Sequence, residues 1–311
     1  MIWIYKDFNF KQIAEVFGKR GNYVWMSMAL AFGIFANVLR SLRWKMLLNS
    51  SGIRIKTRRA IELVFISYMI NSVTPRLGEL VRCLLIRQGN VKITSRALGT
   101  VVIEKLSDVI CLLLLVAAVI SFNWEMTLTF TQSVGNSIKQ AVPAYTLYIC
   151  FGFLALLALA FLFPLRKQVR AFLTNLWCGI SAIARLDHTW EYILLCIFIW
   201  GCNFMQLYLL IPCFEYLSFL SWSEALPVFA YASIGMLLPT PGGMGSWHYA
   251  ITTILNEAYH VELQLAKAFA LFTHGLRTVL VMIMGCLAYA TFYWEVIRSK
   301  IKLKKQGKDN T

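Results

Sequence analysis

The segment Asn71-Ser-Val-Thr-Pro75-Arg76-Leu-Gly78-Glu79-Leu-Val-Arg82 ends the apolar run Ala60–Val73, and a helical pattern resumes from Glu79 to about Arg87. A run of about 14 residues is too short for a bilayer that takes roughly 20 helical residues to cross. Pro75 removes a backbone donor and Gly78 allows a sharp turn, so the segment reads as a re-entrant hairpin that enters and leaves on one side. A second short run, Pro227–Leu238, stops at Pro239-Thr-Pro241-Gly242-Gly243-Met-Gly245 and resumes from Trp247 to Leu255. Shifting the chain by 164 positions lays Val64-Phe65 on Val228-Phe229, Pro75 on Pro239 and Gly78 on Gly242.

The rest of the chain supplies a membrane for these breaks to sit in. Its 311 residues are 59% hydrophobic with a mean hydropathy of +0.63, whereas soluble domains run at about 45–50% apolar. Apolar stretches near spanning length recur from residue 23 to 294 with no Gly-, Ser- or Pro-rich linker between them. The expected fold class is therefore all-α, a polytopic membrane protein, with residues 1–311 forming a single integral-membrane domain.

The net charge of +15 is concentrated in short segments between apolar runs, at Arg40–Lys45, Arg54–Arg59, Arg166–Arg170 and Arg298–Lys308. That distribution is the positive-inside pattern and does not point to nucleic acid as a partner. It predicts crossings at Tyr23–Val38, Arg96–Phe122, Tyr145–Leu165, Tyr192–Cys213 and Leu263–Trp294, with an amphipathic segment at 168–187 on the inner surface and a cytoplasmic C-terminus. The halves, repeat 1 at about 23–122 and repeat 2 at about 190–294, then run in opposite directions as inverted repeats. Paired Pro/Gly-broken segments in inverted halves point to a transport site, because broken helix ends present unpaired backbone groups.

Ionisable groups inside such a membrane domain are costly, roughly 2.5–3.5 kcal/mol each, and need a partner or a wet cavity. Arg76, Glu79 and Arg82 fall in the first hairpin, Glu104, Lys105 and Asp108 in the following crossing, and Lys267, His274 and Arg277 in the last. Arg76, Arg82 and Arg277 are candidates to hold an anionic headgroup, because a guanidinium donates two parallel hydrogen bonds to phosphate. Glu79, Glu104 and Asp108 would orient them or couple an ion or proton, and Trp247 and His248 would contact a headgroup beside the second break. An equally open reading pairs Glu104, Asp108 and Arg277 as a lock between two crossings.

The eight cysteines are scattered, with no CxxC and no histidine at zinc spacing, which argues against a metal site or disulfide framework. There is no P-loop, GxSxG or HExxH, so no catalytic residue and no cofactor is expected. Met1–Tyr5 is too short for the apolar part of a cleavable signal.

Four ordered stretches carry a resemblance: FANVLRSLRWKMLL (35–48), NSVTPRLGELVRCLLI (71–86), RALGTVVIEKLSDVICLLLL (96–115) and LPTPGGMGSWHYAI (238–251). Together they resemble the lysylphosphatidylglycerol synthase transmembrane-region family, over about residues 20–295. The resemblance implies inverted repeats and a role in moving lipids or lipid-linked sugars between leaflets. Its matching positions are Arg40 and Arg43, the first break with Pro75, Arg76, Gly78, Glu79 and Arg82, the acids Glu104 and Asp108, and the second break with Pro239, Pro241, Gly242, Gly243 and Gly245. On that match Arg43 joins the headgroup-binding candidates. The family usually has a further N-terminal crossing, whose tail end Met1-Ile-Trp-Ile-Tyr5 resembles, and the residues after Trp294 do not resemble the aminoacyl-transferase domain of its synthase members.

These readings converge on a flippase for an anionic phospholipid or a polyprenyl-phosphate-linked glycolipid, in a bacterial cytoplasmic membrane. The alternative is a membrane-embedded transferase, or the membrane subunit of one, acting on a lipid-linked substrate. The expected partners are membrane lipids with anionic headgroups, with room for a lipid-modifying enzyme and for a homo-oligomer.

Overall fold

The computed structural model describes residues 13, 16, 18–86, 90–122, 166–238 and 240–308, and these are helical with no strand among them. In chain order the long elements are α1 (Asn22–Ser50), α2 (Thr57–Val73), α3 (Leu77–Ile86), α4 (Val91–Phe122), α5 (Arg166–Ile180), α6 (Thr189–Tyr208), α7 (Trp222–Gly235), α8 (Ser246–Thr253) and α9 (Leu263–Lys308). Among the described residues four segments are long and apolar enough to cross a membrane: Asn22–Ser50, Val91–Phe122, Thr189–Cys213 and Leu263–Arg298. The protein is thus an all-α membrane protein, and it leaves apolar side chains such as Leu113, Leu114, Ile283 and Leu287 exposed. The expected crossing Tyr145–Leu165, the preceding loop and Pro239 lie outside the described residues.

The first break forms where the sequence places it. Thr74 caps α2 in an extended conformation, and Arg76 then takes a left-handed φ of 58°, a state that a residue with a Cβ adopts at some cost. Asn71 holds the reversal together, its Oδ1 accepting a hydrogen bond from the Gly78 amide at 2.8 Å. The two arms then cross so closely that a Cβ on Gly78 would lie 1.9 Å from the Ser67 carbonyl oxygen. In the second broken pair α7 starts from a capping box between Ser221 and Glu224. Its break turns through left-handed Gly242, Gly243 and Gly245, at φ of 58°, 84° and 90°.

α1 lies along α6, and each broken pair sits against both long helices, α2 and α8 on α9 and α3 and α7 on α4. One apolar cluster around Phe204, Phe214, Phe229 and Phe269 serves the second broken pair, and another around Trp44, Leu63, Phe65 and Phe292 serves the first. α5 does more than rest on a surface. It packs along α4, and at Gly99 and Gly179 the backbones approach so closely that either Cβ would overlap a carbonyl of the other helix.

α1 is longer than its apolar run implies. It continues past Val38 through Arg40-Ser-Leu-Arg43-Trp-Lys45, with Arg43 and Trp44 fully enclosed. The basic stretch reads as a loop because its charges suggest water, but α4 supplies carboxylates that let the helix carry these arginines inward.

The glycine crossing yields a matched pair of substitutions. Gly78→Ala puts a methyl into backbone, whereas Gly275 has open space around it. Gly78→Ala is expected to lower the thermal midpoint of the purified protein, at a cost of about 1–3 kcal/mol. Gly275→Ala is expected to be neutral or to raise it, by up to about 1 kcal/mol. Equal midpoints would show that the arms of the first pair separate freely.

Candidate functional site

The two breaks touch. The Arg76 guanidinium donates from Nη2 to the carbonyl oxygen of Leu237 at 2.5 Å. A Cβ on Gly242 would stand 3.2 Å from Ser72 Cα. α9 joins the contact, with His274 Nε2 3.0 Å from the Gly242 carbonyl oxygen. Beside this junction opens a cavity of about 310 Å³ whose wall takes residues from α1, α2, α3, α4, α6, α7, α8 and α9, near the lower end of ligand-site volumes, roughly 300–1,000 Å³.

Six charged side chains line that cavity: Arg40, Arg76, Lys105 and Arg277 against Glu79 and Asp108. The acids are engaged. Lys105 Nζ lies 2.8 Å from Glu79 Oε1, and Asn71 donates to Glu79 Oε2 at 3.0 Å. Asp108 receives Arg43 at 2.8 Å and Arg40 at 3.4 Å. Arg76 meets only a carbonyl dipole. Arg277 has no carboxylate within ion-pair distance among the described residues. The wall therefore carries two cations beyond its anions, in a compartment where field lines are poorly screened.

Behind the wall Arg43 and Arg82 share Glu104, and Arg43 also reaches Asp108 of the wall. Arg82, 1% exposed, places Nη2 2.8 Å from Glu104 Oε2, and its guanidinium lies 4.4 Å from the centre of the Trp44 ring. Arg43, fully enclosed, reaches Asp108 on one side and Glu104 at 3.7 Å on the other. Trp44 is fixed in turn by its indole donating to Thr100 Oγ1 at 3.1 Å. α1, α3 and α4 are thereby held by one set of buried charges.

The expected site residues thus divide. Arg76, Arg277, Glu79 and Asp108 line the cavity, as do Trp247, Gly242 and Gly243. Arg43, Arg82 and Glu104 form the enclosed network behind it. His248 is fully buried, and its Nδ1 accepts from the Gly245 amide at 3.2 Å, turning the second break rather than facing the cavity. Pro75, Gly78, Pro241 and Gly245 shape the breaks without lining the cavity. The alternative lock does not form in that way: Glu104 and Asp108 pair with arginines of α1 and α3, not with Arg277.

Arg40, Lys105, Asn71 and Asn203 complete the wall without having been assigned a role in it. The two amides had a legible signal, since an asparagine inside an apolar helix needs partners that lipid does not offer.

The enclosed network gives a test of stability. Glu104→Gln removes the countercharge of Arg82 and is expected to cost about 3–5 kcal/mol, while exposed Glu262→Gln stays within about 0.5 kcal/mol. Thermal midpoints in detergent compare the two. A Glu104 variant as stable as the native chain would mean that the arginines find other compensation.

Comparison with curated proteins and with solved structures gave no match. A family model described as "Lysylphosphatidylglycerol synthase TM region" matches residues 1–285. That span includes both breaks and every charged residue of the cavity and of the network behind it. The chain belongs to the lysylphosphatidylglycerol synthase transmembrane-region family, and so to the membrane proteins of lipid modification and translocation.

Proposed function

We propose that the chain is a lipid translocase that works without ATP, and that an anionic headgroup enters the cavity between the two breaks while its tails stay in the bilayer. One observation carries this reading: Arg76 and Arg277 face a shared cavity, and among the described residues no carboxylate lies within ion-pair distance of either. A lipid phosphate supplies the missing charge and accepts their paired N–H groups. Arg40 can join them, because Asp108 keeps Arg43 as its closer partner. Exposed Leu237 and Leu238 on the wall offer the tails an apolar exit.

The breaks are read as re-entrant hairpins in inverted repeats, and the placing of both broken pairs against the same two long helices, α4 and α9, supports that reading. A rocking of one repeat against the other would open the Arg76–Leu237 contact and alternate access. Glu79, held by Lys105, is the group best placed to couple an ion or proton. Glu104 and Asp108 act through the arginines they hold. In this reading the single domain sits in a bacterial cytoplasmic membrane with its C-terminus cytoplasmic, and a lipid-modifying enzyme or a second copy of the chain would be its protein partner.

The test is leaflet exchange of fluorescent anionic phospholipids and polyprenyl-phosphate sugars in proteoliposomes. The native chain should accelerate exchange, and Arg76→Ala with Arg277→Gln should slow it by at least about tenfold, the effect of losing one charge-assisted contact of roughly 1.5 kcal/mol. Exchange that is indifferent to both substitutions overturns the proposal. Chemical conversion of a lipid without exchange favours the transferase.

A further inference from the structure

We infer that His274 is a proton-binding site on the cavity wall, and that the cavity takes up a proton together with its anion; this rests on the headgroup reading above. The ring stands where three parts of the molecule meet. It lines the cavity, lies one turn before Arg277 on α9, and sets its Nε2 3.0 Å from the Gly242 carbonyl oxygen. A carbonyl oxygen has no proton to give, so Nε2 carries one and donates it. The second nitrogen, Nδ1, is then bare in the neutral ring.

What faces Nδ1 is a hydroxyl that can serve either charge state. Thr278 Oγ1 lies 3.4 Å from Nδ1 while donating its proton to the His274 carbonyl at 2.8 Å. With that proton engaged, Oγ1 presents lone pairs to the ring. A proton taken from water onto Nδ1 is thus received as an N–H that donates to Thr278, and the charged ring has both its N–H groups matched with no side chain moved. The neighbouring histidine is built the opposite way. His248, its ring centre 4.7 Å from that of His274, accepts the Gly245 amide on Nδ1 at 3.2 Å, and a second proton there would break the bond that turns the second break.

The charges around the ring link its proton to the anion. His248 faces it from α8 and Arg277 follows it on α9. The cavity wall adds Arg40 of α1, Tyr68 of α2, Arg76 of the first break, Glu79 of α3, and Lys105 and Asp108 of α4, while α6 and α7 bring no ionisable group to it. The site is additional to Glu79, whose oxygens already meet Lys105 and Asn71, and Asp108 is held by two arginines. A charged His274 would therefore join Arg76 and Arg277 as a third cation without a carboxylate. A phosphate among them reverses the balance: anion and proton attract, and by linkage each strengthens the binding of the other by the same factor. A headgroup with one negative charge then crosses with one proton and moves no net charge, so the membrane potential does not oppose it.

Calorimetric titration of the purified chain in detergent with short-chain phosphatidylethanol reads this directly, because a phosphodiester keeps its single negative charge at neutral pH. In two buffers of different ionisation enthalpy the native chain is expected to show net proton uptake on binding. Its affinity should fall as the solution goes from about pH 6 to about pH 8, where imidazole changes charge, by at most about tenfold per pH unit for one proton. His274→Gln, whose amide keeps a donor for the Gly242 carbonyl, should bind without proton uptake and with a flat profile. Thr278→Val removes the acceptor for the new N–H and should move the fall in affinity to lower pH. Native binding without uptake, uptake that survives His274→Gln, or a profile unmoved by Thr278→Val each overturns the proton site. No binding by the native chain, or binding indifferent to Arg277→Gln, overturns instead the headgroup reading on which it rests.

Discussion

Glu104 stands between two arginines at a depth where its side chain is 1% exposed, and much of the arrangement follows from that. A carboxylate so enclosed must be matched by cations, and cations so enclosed must be matched by carboxylates. Arg82 comes from the second arm of the first broken pair and Arg43 from α1, so the pairing fixes both against α4. Removing charge from any one member leaves the others uncompensated. The first break is consequently held by electrostatics as well as by the Gly78 crossing, and this rigidity gives Arg76 a defined place from which to reach the second break.

The second break is built on different means. Three left-handed glycines turn it, and its contacts are largely apolar. The two breaks therefore differ in chemistry: the first is charged and tightly paired, the second aromatic. Their junction combines Arg76 of the first with the Leu237 carbonyl beside the second, while His274 of α9 meets the Gly242 carbonyl. Such asymmetry leaves the surplus positive charge on a wall that both halves build, since the acids all come from α3 and α4 and are consumed by nearer cations.

The breaks, the long crossings and the helical class were legible because they follow from local rules: apolar length, Pro and Gly chemistry, and basic flanks. The partition of the charges was not. Arg76 and Arg82 lie six positions apart and look equivalent in sequence, yet Arg76 sits before the helix at positive φ and faces the cavity, while Arg82 points into the protein. That distinction depends on where α4 places Glu104, a tertiary fact. Arg40 and Arg43 were read mainly as loop charges because nothing in their own segment reveals Asp108 across from them.

The last helix has a mechanical consequence. α9 runs unbroken from Leu263 to Lys308 and carries Arg277 in its first third. At 1.5 Å per residue the distance from Arg277 to the far end is about 46 Å. Part-way along that length the helix is clasped to the start of α2, where Thr291 donates to Glu62 at 3.2 Å, Arg59 lies over the Phe292 ring and Arg58 pairs with Glu295 at 3.1 Å. Since α2 ends in the first break, this clasp, about 27 Å along α9 from Arg277, registers one arginine of the cavity against the segment that carries the other.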